Sequence, residues 1–418
     1  MRSALTLFHE RNFAFLFAGR CVNFLGNAMA PVALAFAVLD LTDSASALGL
    51  VLAARMVPQV IFLLIGGVVS DRFPRHQVLV GTSLVAGASQ LGVAVLLIGG
   101  WAELWQIVVL EVINGAAFAL FYPADSSVVP LTVPQSRLQE ANAVLRLGTN
   151  LCMVGGAALA GLLVALLSPG WAIAVDAATF FVGALLVAGM RGISAAAGAS
   201  SSIIHDLKEG WNEFIAHRWL WTIVVQFSIM LIGFFGGFLV LGPVVADNEM
   251  SGASSWAIIV AAQSVGLLAG GLIVVRWRAS RPILVATLSV FVTALPLAAM
   301  AMGGSVGVVA LAAFAMGVSF EVFSVYWYTA LHEHVAPESL ARVSSYDALG
   351  SMGLSPLGLV AAGPLSDWIG VDQTLWLCVA LILVPTALVL LVPEVRNLRS
   401  TPRVREVDVG LPAEAAAG

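Results

Sequence analysis

The sequence predicts an all-α integral membrane protein: twelve transmembrane helices in two parallel six-helix repeats, with both termini on the cytoplasmic side. Three observations predict it. The chain of 418 residues is 60% hydrophobic and 10% charged, with a mean hydropathy of +0.98, whereas soluble domains carry about 25% charged residues. Apolar stretches of about 20 residues, the length that crosses a bilayer core, recur along the whole chain. Arginines gather on alternate connecting segments only.

The apolar stretches place spans at 14–39, 47–70, 77–99, 104–124, 142–167 and 170–190. A second set follows at 219–246, 253–275, 282–302, 305–328, 344–366 and 372–393. The first stretch is too long for a signal-peptide core, so it is expected to stay as a span. With the N-terminus inside, the inner segments carry Arg2, Arg11, Arg72, Arg75, Arg137, Arg191, Lys208, Arg218, Arg276, Arg278, Arg281 and Arg342. The tail adds Arg396, Arg399, Arg403 and Arg405. The outer turns hold acids instead: Asp40, Asp43, Glu103, Asp247, Glu249, Asp367 and Asp372. That asymmetry follows the positive-inside rule.

Residues 1–190 form the expected first half and 219–393 the second. Between them, 191–218 is a cytoplasmic linker. It opens with the Ala/Ser/Gly-rich stretch Ser194 to Ser202 and ends in an amphipathic segment with Leu207, Trp211, Phe214 and Ile215 on one side. Residues 394–418 form a cytoplasmic tail whose polar, Ala-rich composition predicts disorder. The halves echo each other. Gly66-Gly67 with Arg72 recurs as Gly270-Gly271 with Arg276, and Leu147-Gly148-Thr149 with Ala160-Gly161 recurs as Leu349-Gly350-Ser351 with Ala362-Gly363. Parallel repeats of this kind are a feature of secondary transporters, with the substrate site between the halves.

Several function classes are excluded. Lys208 is the single lysine, so a Walker A loop is impossible. Cys21, Cys152 and Cys378 lie far apart inside apolar runs and read as packing residues. All six histidines fall on the inner side, and the i,i+2 spacing of His332 and His334 is poor for zinc. No nucleophile–base pair stands out, so no catalytic residue, metal or cofactor is expected. Pro31, Pro58, Pro243, Pro296, Pro356 and Pro385 fall within spans, where each is a candidate kink or hinge.

The segment Gly67-Val-Val-Ser-Asp71-Arg72-Phe-Pro-Arg75, between spans two and three, resembles the G-x-x-x-D-R-x-x-R/K signature of the major facilitator superfamily. Further stretches resemble the bacterial branch of that superfamily that holds macrolide, tetracycline-type and siderophore exporters. They are Tyr122-Pro-Ala-Asp125 through Pro130 with Glu140-Ala-Asn142, Trp171 through Phe180 with Asp176, Glu209-Gly-Trp211 with His217-Arg-Trp219, and Arg342-Val-Ser-Ser345 with Gly363-Pro-Leu-Ser-Asp367. The resemblance implies that Asp71, Arg72 and Arg75 form a charged conformational latch at the inner mouth, with Asp125 as partner. The chain departs from the family in two places: span five lacks the Gly-Pro pattern of many antiporters, and span four has Glu111 in place of an arginine.

A charge inside the bilayer costs at least about 2.5 kcal/mol, so each one needs a reason. Arg20 lies in the inner part of span one, with Asn23 and Asn27 on the same face at helical spacing, which reads as a cavity-lining stripe. Spans one, four, seven and ten line the cavity in the family, so Arg20 and Glu321 are expected to face each other across the halves, as an inner gate or with Glu321 as a proton site. Glu111 and Asn114 share a face in the outer third of span four, and Arg55 lies at similar depth. A substrate or proton site and a fixed Arg55–Glu111 ion pair are both open readings. Asp176, in a peripheral span, reads as a packing or capping residue. Aromatics in spans four, seven and ten would suit a hydrophobic, cationic ligand.

The resemblance implies an exporter of a small hydrophobic or amphipathic molecule, of drug or siderophore class, in the bacterial cytoplasmic membrane. It would work by alternating access and proton antiport. Its partners would be the substrate and the lipid bilayer, with no nucleic acid, and it would act as a monomer. A nutrient uptake carrier of the same fold is the alternative; a membrane-embedded enzyme and a non-transporting receptor are the readings from other classes.

Overall fold

A computed structural model describes residues 6–72, 74–190, 211–277 and 279–399. Side chains are not described at 63–72, 75, 123, 126, 127, 337, 338 and 341. Among the described residues, twelve helices are long and apolar enough to cross a membrane. They are α1 (Arg11–Thr42), α2 (Ala45–Arg72), α3 (Arg75–Gly99), α4 (Leu104–Val128), α5 (Leu138–Leu166) and α6 (Pro169–Ala188). The second set is α7 (Arg218–Glu249), α8 (Ala253–Arg276), α9 (Pro282–Ala301), α10 (Val306–His334), α11 (Pro337–Met352 and Ser355–Ile369) and α12 (Val371–Val389).

Local chemistry sets the ends. Asp43 closes α1 in a left-handed conformation, φ 49°, and Gly100 closes α3 at φ 73°. At the start of α4, the Glu103 backbone N–H donates to Gln106 Oε1 at 2.9 Å within a reciprocal capping box. The Trp219 backbone N–H, in the first turn of α7, donates to Glu394 Oε2 at 3.0 Å. A carboxylate from the far end of the chain thereby meets the positive end of the α7 dipole.

Prolines interrupt the second set more than the first. Pro31 and Pro58 sit inside unbroken helices. By contrast, Pro243 follows a π-helical stretch, Phe235–Leu241, and Pro296 follows a 3-10 stretch, Phe291–Ala294. Pro356 follows the break in α11, and Pro364 lies within that helix as well. Proline cannot donate to the residue four back, and the altered turns absorb the missing bond.

The packing repeats with a period of six helices. In the first set α1 packs on α5 and α6, α2 on α4, and α3 on α4 and α6; in the second α7 packs on α11 and α12, α8 on α10, and α9 on α10 and α12. The two sets meet along α2–α11 and α5–α8, the same pair taken in both directions. Both seams close at the outer ends. Ser46 Oγ donates to Asp367 Oδ2 at 3.0 Å, and Gly363 lies so close to the Ser46 backbone that a Cβ there would collide with it. Gly161 meets Ala257 at the outer end of the other seam. The seams part towards the arginine-bearing inner side, where the cavities lie, so the structure is inward-open.

The sequence places every span. Its largest error in a boundary is at α11, which starts at Pro337 and not at 344, and α10 runs on to His334; in both, helix continues past the apolar run. The low-complexity linker stretch, Lys208 and the tail from 400 onward lie outside the described residues. At the end of the linker, residues 211–216 are helical, with Phe214 buried and Trp211 about half exposed against Tyr346 of α11.

Candidate functional site

A cavity of about 610 Å³ lies between the two sets of helices. From the first set, α2 contributes Met56, Gln59 and Val60, and α4 contributes Phe118, Ala119 and Tyr122. From the second, α7 contributes Phe227, α10 contributes Phe320, Glu321, Phe323, Ser324, Trp327 and Tyr328, and α11 contributes Ser344, Asp347 and Ser351. Helical spacing explains the α10 wall: residues 320, 323, 324 and 327 recur on one face. Seven aromatic side chains therefore surround the space. Phe227 and Phe323 stack with centroids 4.6 Å apart, and Phe323 and Trp327 stack at 5.9 Å.

Two acids face this cavity and no Arg or Lys lines it among the described residues. Glu321 makes no hydrogen bond or ion pair among those residues. Asp347 accepts from Trp327 Nε1 at 2.9 Å and from Ser351 Oγ at 3.2 Å, both neutral donors. A second cavity, about 930 Å³, lies between α5, α8, α9 and α10 on the inner side. Glu321 lines both, and Arg146 of α5 and Glu333 line the second.

The other expected site residues lie elsewhere. Arg20 does not face Glu321: its Nη2 pairs with Asp125 Oδ2 of α4. The reason is depth and proximity, since Asp125 sits at the inner end of a helix in the same set while the cavity lies on the way to α10. Asp125 thus takes an arginine from α1; the side chains of its expected latch partners Asp71, Arg72 and Arg75 lie outside the described residues. Asn23 and Asn27 do not line the central cavity either. They face a void of about 10 Å³ enclosed with Thr82, Ser83, Asn114, Phe118, Phe121 and Phe180. Such a volume is about that of one water site.

Arg55 sits beyond this void. Its Nη2 donates to Asn27 Oδ1 at 3.0 Å, and its Nη1 is 3.8 Å from Glu111 Oε2, close enough for an ion pair but too long for a hydrogen bond. Glu111 and Asp176 are both fully buried, and Asn114 is 1% exposed. Asp176 packs against Gly26 of α1 and lies in the electrostatic reach of Arg55 and Glu111. The packing role expected for it from the sequence leaves out these charged neighbours.

Among the aromatics, Phe234 and Phe238 belong to the packed core, and Tyr326 donates its hydroxyl to the Trp277 carbonyl at 2.7 Å. The residue that sequence reasoning missed is Asp347. The signal was there: an acid inside the predicted span 344–366, with Ser351 one turn on. Gln59 was missed because an uncharged amide costs less to bury and so stands out less.

Comparison with known proteins bears on this geometry. The sequence pattern of the Major Facilitator Superfamily matches residues 16–355. Macrolide efflux protein A of Streptococcus pyogenes is 24% identical over 387 residues, covering 88% of this chain and 94% of that protein. The multidrug efflux pump Tap of Mycobacterium tuberculosis is 24% identical over 405 residues, covering 94% and 95%. In fold, the chain is similar to the nucleoside transporter NupG, with a TM-score of 0.68 at 14% identity, covering 91% of this chain and 98% of that one. It is also similar to a bacterial homolog of the human lysosomal transporter Spinster, with a TM-score of 0.68 at 15% identity, covering 94% and 99%.

Proposed function

The chain belongs to the Major Facilitator Superfamily, a family of transporters and not of enzymes, and from that premise we propose that it exports amphipathic organic cations from the cytoplasm in exchange for protons. The observation that carries the reading is the central cavity: seven aromatic rings, two carboxylates and no lining cation among the described residues. A cation held over a desolvated aromatic face gains about 2 kcal/mol, most over tryptophan. Glu321 and Asp347 supply the opposite charge, and the apolar walls take the hydrophobic body of the ligand.

The mechanism follows from the seams. With α2–α11 and α5–α8 closed outside and parted inside, the substrate enters from the cytoplasm. Rocking of residues 1–190 against 219–393 closes the inner mouth and opens the outer one. The expected latch at Asp71, Arg72, Arg75 and Asp125 would act where the inner ends approach. The outward direction is supported by the efflux names of the two relatives. The site of action would be the bacterial cytoplasmic membrane, with each chain working alone.

The test is accumulation of ethidium in cells that overproduce the chain. Accumulation should fall, a protonophore should restore it, and Glu321→Gln should restore it without the protonophore. Raised accumulation on overproduction would contradict export.

A further inference from the structure

The first six helices enclose a charged site that the central cavity does not touch. Arg55 of α2, Glu111 of α4 and Asp176 of α6 converge there, and both acids are 0% exposed. None of their four carboxylate oxygens accepts a hydrogen bond among the described residues. The contrast with Asp125 is direct, since that acid is hydrogen-bonded to Arg20. We propose that Glu111 and Asp176 share one proton, and that this pair, with Arg55 as its fixed counter-charge, is where the chain takes up and releases the proton it exchanges for substrate.

The charge count forces the first part. One guanidinium offsets one carboxylate, and a second ionised carboxylate would leave a net negative charge shut away from water in the middle of a bilayer. Only a proton removes it. The groups facing the pair from the other helices do not ionise: α3 presents Gln90 and Ser83, and α1 presents Asn23 and Asn27. Gln90 is itself fully buried with both amide atoms unpaired, and its amide lies beside Glu111. An unpaired amide beside Glu111 suits a site that alternates between two protonation states, because Gln90 has a donor to offer that acid when it is ionised and an acceptor when it is not.

Access supports the second part. The water-sized void reaches from Asn114, one turn from Glu111, to Phe118. Phe118 also lines the central cavity. One aromatic ring therefore separates the void beside the proton site from the space a substrate would fill. Movement of that ring as substrate binds would let water connect the two, and the proton could leave to the cytoplasmic side. The purpose assigned to the site rests on the antiport reading above, but its protonation does not.

Infrared spectroscopy of the purified protein in lipid tests this without any substrate. Near neutral pH, the wild type should show a deuterium-sensitive protonated-carboxyl band that falls by one group per molecule in Glu111→Gln. It should fall by the same one group in Asp176→Asn, because in either variant the remaining acid ionises against Arg55. Both amides are near-isosteric, and matching gel-filtration profiles establish that the variants fold. A band undiminished in either variant overturns the shared proton. If the band behaves as expected but ethidium is not exported, the transport reading falls and the proton site stands. If export is proton-driven while the band ignores both substitutions, the coupling site lies elsewhere and this proposal falls.

Discussion

The first six helices and the last six share one packing scheme but bury their charges in opposite ways. In the first set, Arg20, Arg55, Glu111, Asp125 and Asp176 lie within helix–helix contacts, the two arginines partly exposed and Glu111 and Asp176 with no exposure at all. In the second, Glu321 and Asp347 stand on the cavity wall, held by nothing charged or by neutral donors only. A repeated scaffold has thus been divided: charges that answer each other inside the protein on one side, charges left free for a ligand on the other. The second set also carries the broken helices, at Phe235–Leu241, Phe291–Ala294 and the interruption of α11, the last of which borders the cavity at Met352.

The largest effect should come from breaking a sealed pair. Asp125→Leu leaves the partly buried Arg20 without its partner and should cost about 1–3 kcal/mol of stability, read as a lowered Tm in detergent. Removing Asp347 instead should leave Tm near wild type, because a cavity-facing acid loses only neutral donors. An equal loss of Tm in both would erase the difference between the two regions.

Next in size is the outer seal. Gly363→Val places a side chain against the Ser46 backbone and should hold the α2–α11 seam open. A cysteine placed at Ala45 should then react with a membrane-impermeant thiol reagent from outside, while export stops. Unchanged labelling would mean that the seam does not close in this way.

Asp347→Asn should weaken transport of organic cations by about tenfold, equivalent to about 1.4 kcal/mol, with little change for a neutral analogue. Trp327→Phe keeps a smaller aromatic ring but removes the hydrogen bond to Asp347, and should cost only about threefold, in line with about 0.5–1.5 kcal/mol for one such bond. Both are read from initial rates of efflux. If Trp327→Phe were the more damaging, the ring's N–H and not the carboxylate would be the recognition element.

Much of the fold was readable from the sequence, because lipid as solvent leaves little choice. Every backbone polar group must be satisfied within its own segment, so apolar runs of span length become helices. The arginine asymmetry then gives the orientation. The site was readable only as a set of expensive residues. Burial cost picked out Arg20, Arg55, Glu111, Asp176 and Glu321, but cost says nothing about which helix face meets which. Arg20 was matched to Glu321 by depth, and depth alone cannot tell Asp125, in the same set of helices, from an acid across the cavity. Asp347 was passed over although it lies inside the span placed at 344–366, three residues from its expected start, where an acid costs less to bury than at mid-span. Its hydrogen bond to Trp327 comes from a helix 20 residues away in sequence, and no local pattern announces it.

The claim that the cavity selects positive charge is tested most directly by an isosteric pair of opposite sign. Tetraphenylphosphonium and tetraphenylborate have the same shape and nearly the same apolar surface, so competition between them for the purified protein reads charge alone. The arrangement of Glu321, Asp347 and the aromatic wall predicts that the cation binds at least about tenfold more tightly, about 1.4 kcal/mol. Equal binding, or preference for the anion, would contradict it.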